Sequence, residues 1–426
     1  MQVMVWERKI ALNNERRTEV ADKESSRSAR STLGVCGTAH FVHDGLHDSL
    51  YILLPLWSQA FGLSLAQVGM LKFAYSGAMA IFQMPAGFLS ERFSPKLLLA
   101  AGTAFLGLAF FLLGLTGGFV TLLLLLFFAG LGSGPQHPLS STLVAKAYET
   151  GPRRAALGIY NFSGDIGKVA LPAILALVAG AVGWRMGVFG LGVFGVISAA
   201  AILIALTRLR AGSRPKPQTA SEKTISPSGW GILNRRGFAA ISAINLLDTG
   251  VTFGFLTFLP FLLIEKGAGV EMVGLAVALV FSGGAAGKFL CGFLAERLGI
   301  VRTMVMTEIA TGAGIFILLF MPLLGALALL PLVGVAMNGT SSVLYATVAD
   351  FITPERHARG FAFFYTVGMG AGAISPLIFG LVSDAFGVST SMVILGVLIF
   401  LTIPFCLMVS YSQQPLPKRR DEKSHG

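Results

Sequence analysis

Apolar runs of about 20 residues or more recur along the chain from Val35 to Val409, separated by glycines, prolines and short charged clusters. A helix rising 1.5 Å per residue crosses a hydrocarbon core of roughly 30 Å in about that length. The pattern predicts twelve spans, over residues 33–60, 67–90, 96–115, 118–145, 156–181, 185–207, 237–264, 271–294, 301–321, 323–350, 360–383 and 387–410. Between the sixth and seventh, "RLRAGSRPKPQTASEKTISPSG" brings proline, serine and charge with no apolar period, the composition of a linker. The predicted organisation is a disordered tail over 1–32, a six-helix bundle over 33–207, a linker over 208–236, a second six-helix bundle over 237–410 and a second tail over 411–426. The fold class is an all-α membrane protein.

Composition supports this. Of 426 residues 54% are hydrophobic and 12% charged, about half the charge of an ordinary soluble domain. A net charge of +11 raises the question of a nucleic-acid partner, and the placement of the 32 Lys and Arg residues answers it. Twenty-seven of them fall in the tails, the linker and the loops after even-numbered spans. The opposite loops hold only Arg185 and Lys266, while Lys72, Lys168 and Lys288 lie inside spans. The basicity is therefore topological, and the positive-inside rule places both termini and the linker in the cytoplasm, here of a bacterial inner membrane. The expected surroundings are a lipid bilayer without nucleic acid, and the expected state is a monomer. Cys36, Cys291 and Cys406 have no paired spacing, and no nucleotide-binding or nucleophile-elbow motif occurs, so no disulfide, cofactor or enzymatic activity is expected.

One fragment recurs: "GFLSERF" at Gly87–Phe93 and "GFLAERL" at Gly292–Leu298. The same offset relates Pro55 to Pro260 and Gly69 to Gly274, and one residue less relates Asp44 to Asp248, Gly164 to Gly368 and Pro172 to Pro376. The halves read as one unit written twice. With six spans each they are parallel repeats, an arrangement that puts a solute path between them near the midplane.

The loop "GFLSERFSPK" resembles the G-x-L-a-D-r-x-G-r-K signature of the major facilitator superfamily, with Gly87, Glu91, Arg92 and Lys96 at matching positions and Glu91 standing for the usual Asp. The fifth span, "GIYNFSGDIGKVALP", is similar to that family's glycine-rich fifth helix. The resemblance implies secondary transport by alternating access between two six-helix halves. It also implies that Glu91 and Arg92, with their repeat mates Glu296 and Arg297, form a cytoplasmic gate. "HFVHD" and "GSGPQHP" are similar to patterns of the fosmidomycin-resistance-type efflux proteins, with His43 in place of Asn and Gln136 in place of Phe. Export is the direction this second likeness implies.

The first span opens with "GTAHFVHDGLHD". At about 100° per residue His40, His43, Asp44, His47 and Asp48 share roughly 140° of one helix face. Ionisable side chains in a span cost about 2.5–3.5 kcal/mol each and face the bundle interior or a water-filled cavity. Asp44 and His47 fall near mid-membrane, and an Asp–His set exchanges protons near neutral pH. Asp44, His47, Asp48 and Asp248 are therefore the candidates for proton coupling. Some of these groups could instead hydrogen-bond neighbouring helices. Alternatively Cys36, His40, Asp44 and His47, with His137, could ligate a metal, giving a divalent-metal transporter or an intramembrane metal-dependent enzyme. Candidates for substrate binding are His43, His137, Asn161, Asp165, Lys168 and Tyr365, with Lys168 three residues after Asp165 as either a salt-bridge partner or a cation for an anionic solute. Lys72 is expected to snorkel to the membrane surface and Lys288 to pair with Glu308. The sequence thus predicts a proton-coupled secondary transporter of a small organic solute, anionic or amphiphilic.

Overall fold

In the computed structural model, which describes residues 2–149, 151–212, 231–353 and 357–413, the described chain is helical apart from connecting turns and one isolated bridge between Ile232 and Ile352. The helices are α1 (Gln2–Phe61), α2 (Leu65–Arg92), α3 (Pro95–Leu113), α4 (Phe119–Ser133), α5 (Gln136–Ala147), α6 (Arg153–Val182) and α7 (Trp184–Arg208) in the first half. The second half has α8 (Arg235–Glu265), α9 (Val270–Leu298), α10 (Ile300–Phe320), α11 (Leu323–Thr347), α12 (His357–Phe386), α13 (Val388–Phe400) and α14 (Thr402–Gln413). Each of the twelve expected spans coincides with one of these helices or with a broken pair. Eleven helical segments are long and apolar enough to cross a membrane among the described residues. The first span is the remaining one, its hydropathy lowered by the His and Asp stripe.

Two spans are broken, both for want of a backbone donor. Gly134 and Pro135 separate α4 from α5, and Leu401 separates α13 from α14 three residues before Pro404. A proline has no N–H for the carbonyl four residues back. At the other extreme, α1 continues back to Gln2, where a disordered tail is expected over 1–32. No proline or glycine occurs before Gly34, and the segment is rich in Arg, Glu, Lys and Ala, all good helix formers. Most of the linker and the last thirteen residues lie outside the described residues. The linker's flanks are anchored: the Gly212 carbonyl accepts from Ser94 Oγ at 2.6 Å, and Thr353 N donates to the Gly231 carbonyl at 2.8 Å.

The internal repeat is visible in the packing. In the first half α1 packs on α6, α3 on α7 and α2 on α4; in the second, α8 packs on α12, α10 on α13 and α14, and α9 on α11. The halves meet through α2 against α12 and α6 against α9, each the repeat image of the other. Gly69 of α2 lies so close to Pro376 of α12 that a Cβ would collide with its carbonyl, and a Cβ at Gly274 of α9 would collide with the Ala176 methyl group of α6. Gly69 and Gly274 are repeat mates, as are Pro376 and Pro172, so one seam is built twice. It is reinforced where Asp384 of α12 accepts from Leu65 N and Ala66 N, at 2.7 and 2.9 Å, capping the first turn of α2. At the linker ends of α2, α6 and α9 the glycines face open space. A Cβ at Gly87, Gly158 or Gly292 would meet nothing within 4 Å.

Candidate functional site

The α1 stripe is buried: His40, His43, Asp44, His47 and Asp48 are each 9% exposed or less. It faces α2, the α4–α5 break and α6 rather than lipid. Gly164 and Gly167 of α6 allow this approach, because a Cβ at Gly164 would press on His40 Nε2 and Asp44 Oδ2, at 2.7 and 2.8 Å, and one at Gly167 would strike the Phe41 carbonyl. The break at Pro135 turns Gln136 and His137 toward the same place, where the His137 ring meets those of His43 and His40 edge-on at 4.8 and 5.1 Å.

Asp44 is the hub. His43 Nδ1 lies 3.0 Å from its Oδ1; Lys168 Nζ and His40 Nε2 lie 3.4 and 3.2 Å from its Oδ2. His40 Nδ1 is 2.9 Å from the Tyr160 carbonyl, which can only accept, so this nitrogen carries the hydrogen. A neutral His40 would then turn a lone pair toward Asp44 Oδ2. Two acceptors at 3.2 Å need a proton between them, held either as imidazolium or as carboxylic acid. The geometry therefore defines a proton position.

A second relay lies one turn further along α1. Lys72 Nζ donates to His47 Nε2 at 3.1 Å, so His47 carries its hydrogen on Nδ1, which faces Asp48 Oδ1 at 3.4 Å. Tyr75 stacks on His47 at 5.1 Å and shares a 2.5 Å hydrogen bond with Ser133. Lys72 is fully buried with its ammonium 4.1 Å above the Tyr51 ring, so it does not snorkel as expected from sequence. Phe253 of the other half shields it from beyond, at 5.8 Å.

From Asp44 an alternating row of charge crosses to the second half. Lys168 reaches Asp44 at 3.4 Å and Asp165 at 3.8 Å, and Lys288 of α9 donates to both Asp165 oxygens at 2.7 Å. Lys288 thus pairs with Asp165 and not with Glu308, because the α6–α9 seam brings it across while Glu308 lies within the second half. Three carboxylates (Asp44, Asp48, Asp165) and three ammonium groups (Lys72, Lys168, Lys288) balance.

The other sequence candidates are placed elsewhere. Asn161 is exposed on α6, and Tyr365 is 46% exposed, stacked on Tyr345 at 4.9 Å within the second half. Asp248 is buried in the second half beside Ser341, apart from the α1 network. Glu91, Arg92, Glu296 and Arg297 are exposed at the linker end and form no ion pair among the described residues. Sequence reading left His40 undecided and missed Tyr160, Tyr75 and Gln136. The spacing of His40 one turn before Asp44 was a usable signal; the partners on other helices left none.

Metal ligation narrows to His40, Asp44 and His137, whose donor atoms lie within 4.8 Å of one another; Cys36 and His47 are not in that group. The Lys168 ammonium beside the same carboxylate opposes a divalent ion there. What the cluster offers is a pair of cations with releasable carboxylate partners and a proton position, an arrangement suited to an anion that arrives with a proton.

Comparison with known proteins agrees with the architecture. The family model of the Major Facilitator Superfamily matches residues 36–330 and 241–426. A probable sulfoacetate transporter of Cupriavidus necator is 25% identical over 395 residues, covering 86% of this chain and 90% of that one. The fosmidomycin resistance protein of Escherichia coli is 22% identical over 374 residues, covering 84% and 89%. The crystal structure of a bacterial homolog of the human lysosomal transporter Spinster, inward-facing and unoccupied, superposes with a TM-score of 0.72 at 19% identity, over 91% of this chain and 97% of that one. With twelve spans in two repeated halves and a family match over nearly its whole length, this chain belongs to the Major Facilitator Superfamily and is a multi-pass membrane transporter, not an enzyme.

Proposed function

We propose that the protein carries a small organic anion together with a proton, in symport, by way of the charged cluster that α1, α2, α5, α6 and α9 bring together. The observation that carries this reading is the Asp44–Lys168–Asp165–Lys288 row. Its ammonium groups are neutralised by carboxylates, so an anion gains them only when those carboxylates give up charge. Protonating Asp44 frees Lys168, and protonating Asp165 frees Lys288; the anion and proton then favour each other's binding. Such positive linkage between two ligands is the thermodynamic basis of co-transport. His40 stores the proton beside Asp44, and His47 with Asp48 forms the second relay.

Positive linkage supports proton-driven accumulation rather than the export implied by the resemblance to efflux proteins. The name of the Cupriavidus necator relative, a probable sulfoacetate transporter, points to the same solute chemistry, as do those of a probable L-galactonate transporter of Escherichia coli and a hexuronate transporter of Bacillus subtilis. With both termini in the cytoplasm, as the Lys and Arg distribution supports, the linker end faces inward. Glu91, Arg92, Glu296 and Arg297 then close the inner end in the opposite state, by ion pairs that form only when the halves rock together.

The test is uptake into proteoliposomes under an imposed pH gradient, with a solute panel opening on sulfoacetate, L-galactonate and hexuronates. Accumulation of an anion that collapses with the gradient is expected. Transport indifferent to the gradient, or expulsion in exchange for protons, would reject the symport reading.

A further inference from the structure

The chain turns from α6 into α7 at Gly183, and Trp184 opens α7. A tryptophan at that position marks the membrane interface, at the end of the molecule opposite the linker. From this turn an apolar groove of about 360 Å³ runs inward between the two helices. Leu171, Leu175 and Val178 of α6 form one wall, Leu191 and Phe194 of α7 the other, and Phe41 of α1 lies beneath them. Gly187 draws the helices together, since a Cβ there would press on Leu175, whereas a Cβ at Gly190 would meet nothing within 4 Å. The missing side chain at Gly190 leaves the groove open.

No polar side chain lines the groove, so water finds no partners in it. Its mouth is bounded by Ile174 and Met186, 51% and 57% exposed, on two helices that are each long and apolar enough to cross a membrane. What lies outside the mouth is therefore bilayer hydrocarbon. The dimensions select a single chain of it. From Met186 to Phe194 the groove follows α7 over about 12 Å, against about 15 Å for one leaflet of a hydrocarbon core of roughly 30 Å. At the ~30 Å³ that a water-sized group occupies in a liquid, a volume of about 360 Å³ holds about twelve methylene groups. That is most of one acyl chain and too little for two.

We propose that this groove seats one acyl chain of a phospholipid, drawn from the leaflet opposite the linker, as a fixed part of the first half. Left vacant, the walls would forfeit dispersion contacts. The helix that leans on those walls is α1: a Cβ at Gly45 would strike Leu171, and one at Gly167 would strike the Phe41 carbonyl. Phe41 follows His40 in the chain, and Gly45 follows Asp44. The seated chain therefore braces α1 from the lipid side at the level of its charged stripe. Seating stands apart from the transport reading, and only the effect on anion binding rests on it.

The protein is reconstituted in phosphatidylethanolamine vesicles containing a small fraction of the same lipid with a photoactivatable diazirine at mid-chain, and adducts are mapped by peptide mass spectrometry. Val120 and Leu124 of α4, 64% and 52% exposed, report ordinary contact with the bilayer. Adducts on the groove residues should exceed theirs about fivefold or more. The excess should vanish in Gly190→Trp, whose indole occupies the groove. Ile174→Trp, which blocks the exposed mouth, serves if Gly190→Trp does not fold. Adducts that follow exposure alone, or an excess that persists in the variants, would overturn the proposal. So would displacement of the adducts by anions of the uptake panel, which gives the groove to the solute, or cross-links to a second copy in place of lipid. Exhaustive lipid removal in detergent should weaken anion binding by wild-type protein about fivefold, with recovery when phosphatidylethanolamine is added back; unchanged affinity would overturn the brace. If no anion binds at all, photolabelling still decides the groove, so the two readings fail separately.

Discussion

Asp44→Asn permanently imitates the protonated aspartate, and its consequence can be worked from the geometry. In the wild type an anion must first separate Lys168 from Asp44, 3.4 Å apart. At an effective dielectric of about 20, two unit charges at that distance attract by about 5 kcal/mol. Lys168 is 26% exposed and Asp44 5%, and desolvation offsets part of the attraction, so a net barrier of about 2 kcal/mol remains. Asparagine removes that cost, so the variant should bind the preferred anion about 30-fold more tightly at alkaline pH, where the wild type is weakest. Wild-type affinity should fall about tenfold for each pH unit above the site's titration, because one proton is bound with the anion. In the variant this dependence should flatten. Binding to detergent-solubilised protein across pH measures both effects, and proteoliposomes measure the third: accumulation driven by a pH gradient should disappear while exchange of labelled for unlabelled solute continues. Weaker anion binding in Asp44→Asn, or undiminished gradient-driven accumulation, would refute the linkage.

Three further outcomes follow from the same geometry. Lys168→Gln should lower anion affinity by about 2–3 kcal/mol, or roughly 30–150-fold, while leaving the fold intact by size-exclusion chromatography; unchanged affinity would remove Lys168 from the site. Gly69→Val should drive its branched side chain into the Pro376 carbonyl and open the α2–α12 seam, and paired spin labels at the ends of α2 and α12 away from the linker should report increased distances. Asp384→Ala should remove the cap on α2 and weaken the state closed at that end by about 1 kcal/mol, read by the same labels as a roughly fivefold population shift; an unchanged distribution would show that the cap has no part in gating.

Much of this molecule is legible from its sequence, because the relevant physics is local. Hydrophobic thickness dictates the length of a span, helical periodicity puts His40, His43, Asp44, His47 and Asp48 on one face, and Pro135 breaks the fourth span wherever that span is packed. The halving of the chain is legible too, since repeat mates such as Gly69 and Gly274 preserve their offset. Partners on different helices have no such signature. Lys72 reads as a side chain reaching for the membrane surface until α2 is seen to lay it on His47 and Tyr51. Lys288 reads as a partner of Glu308 until the α6–α9 seam delivers it to Asp165. Glu308 has no feature in its neighbourhood that predicts a carboxylate without a hydrogen-bond partner among the described residues. Sequence by itself determined the twelve spans, the two halves and the charged stripe, since those depend on contacts within a few residues and on the bilayer. Tertiary structure alone decided which charges meet across helices, because ion-pair geometry depends on distances of a few ångströms between helices far apart in the chain.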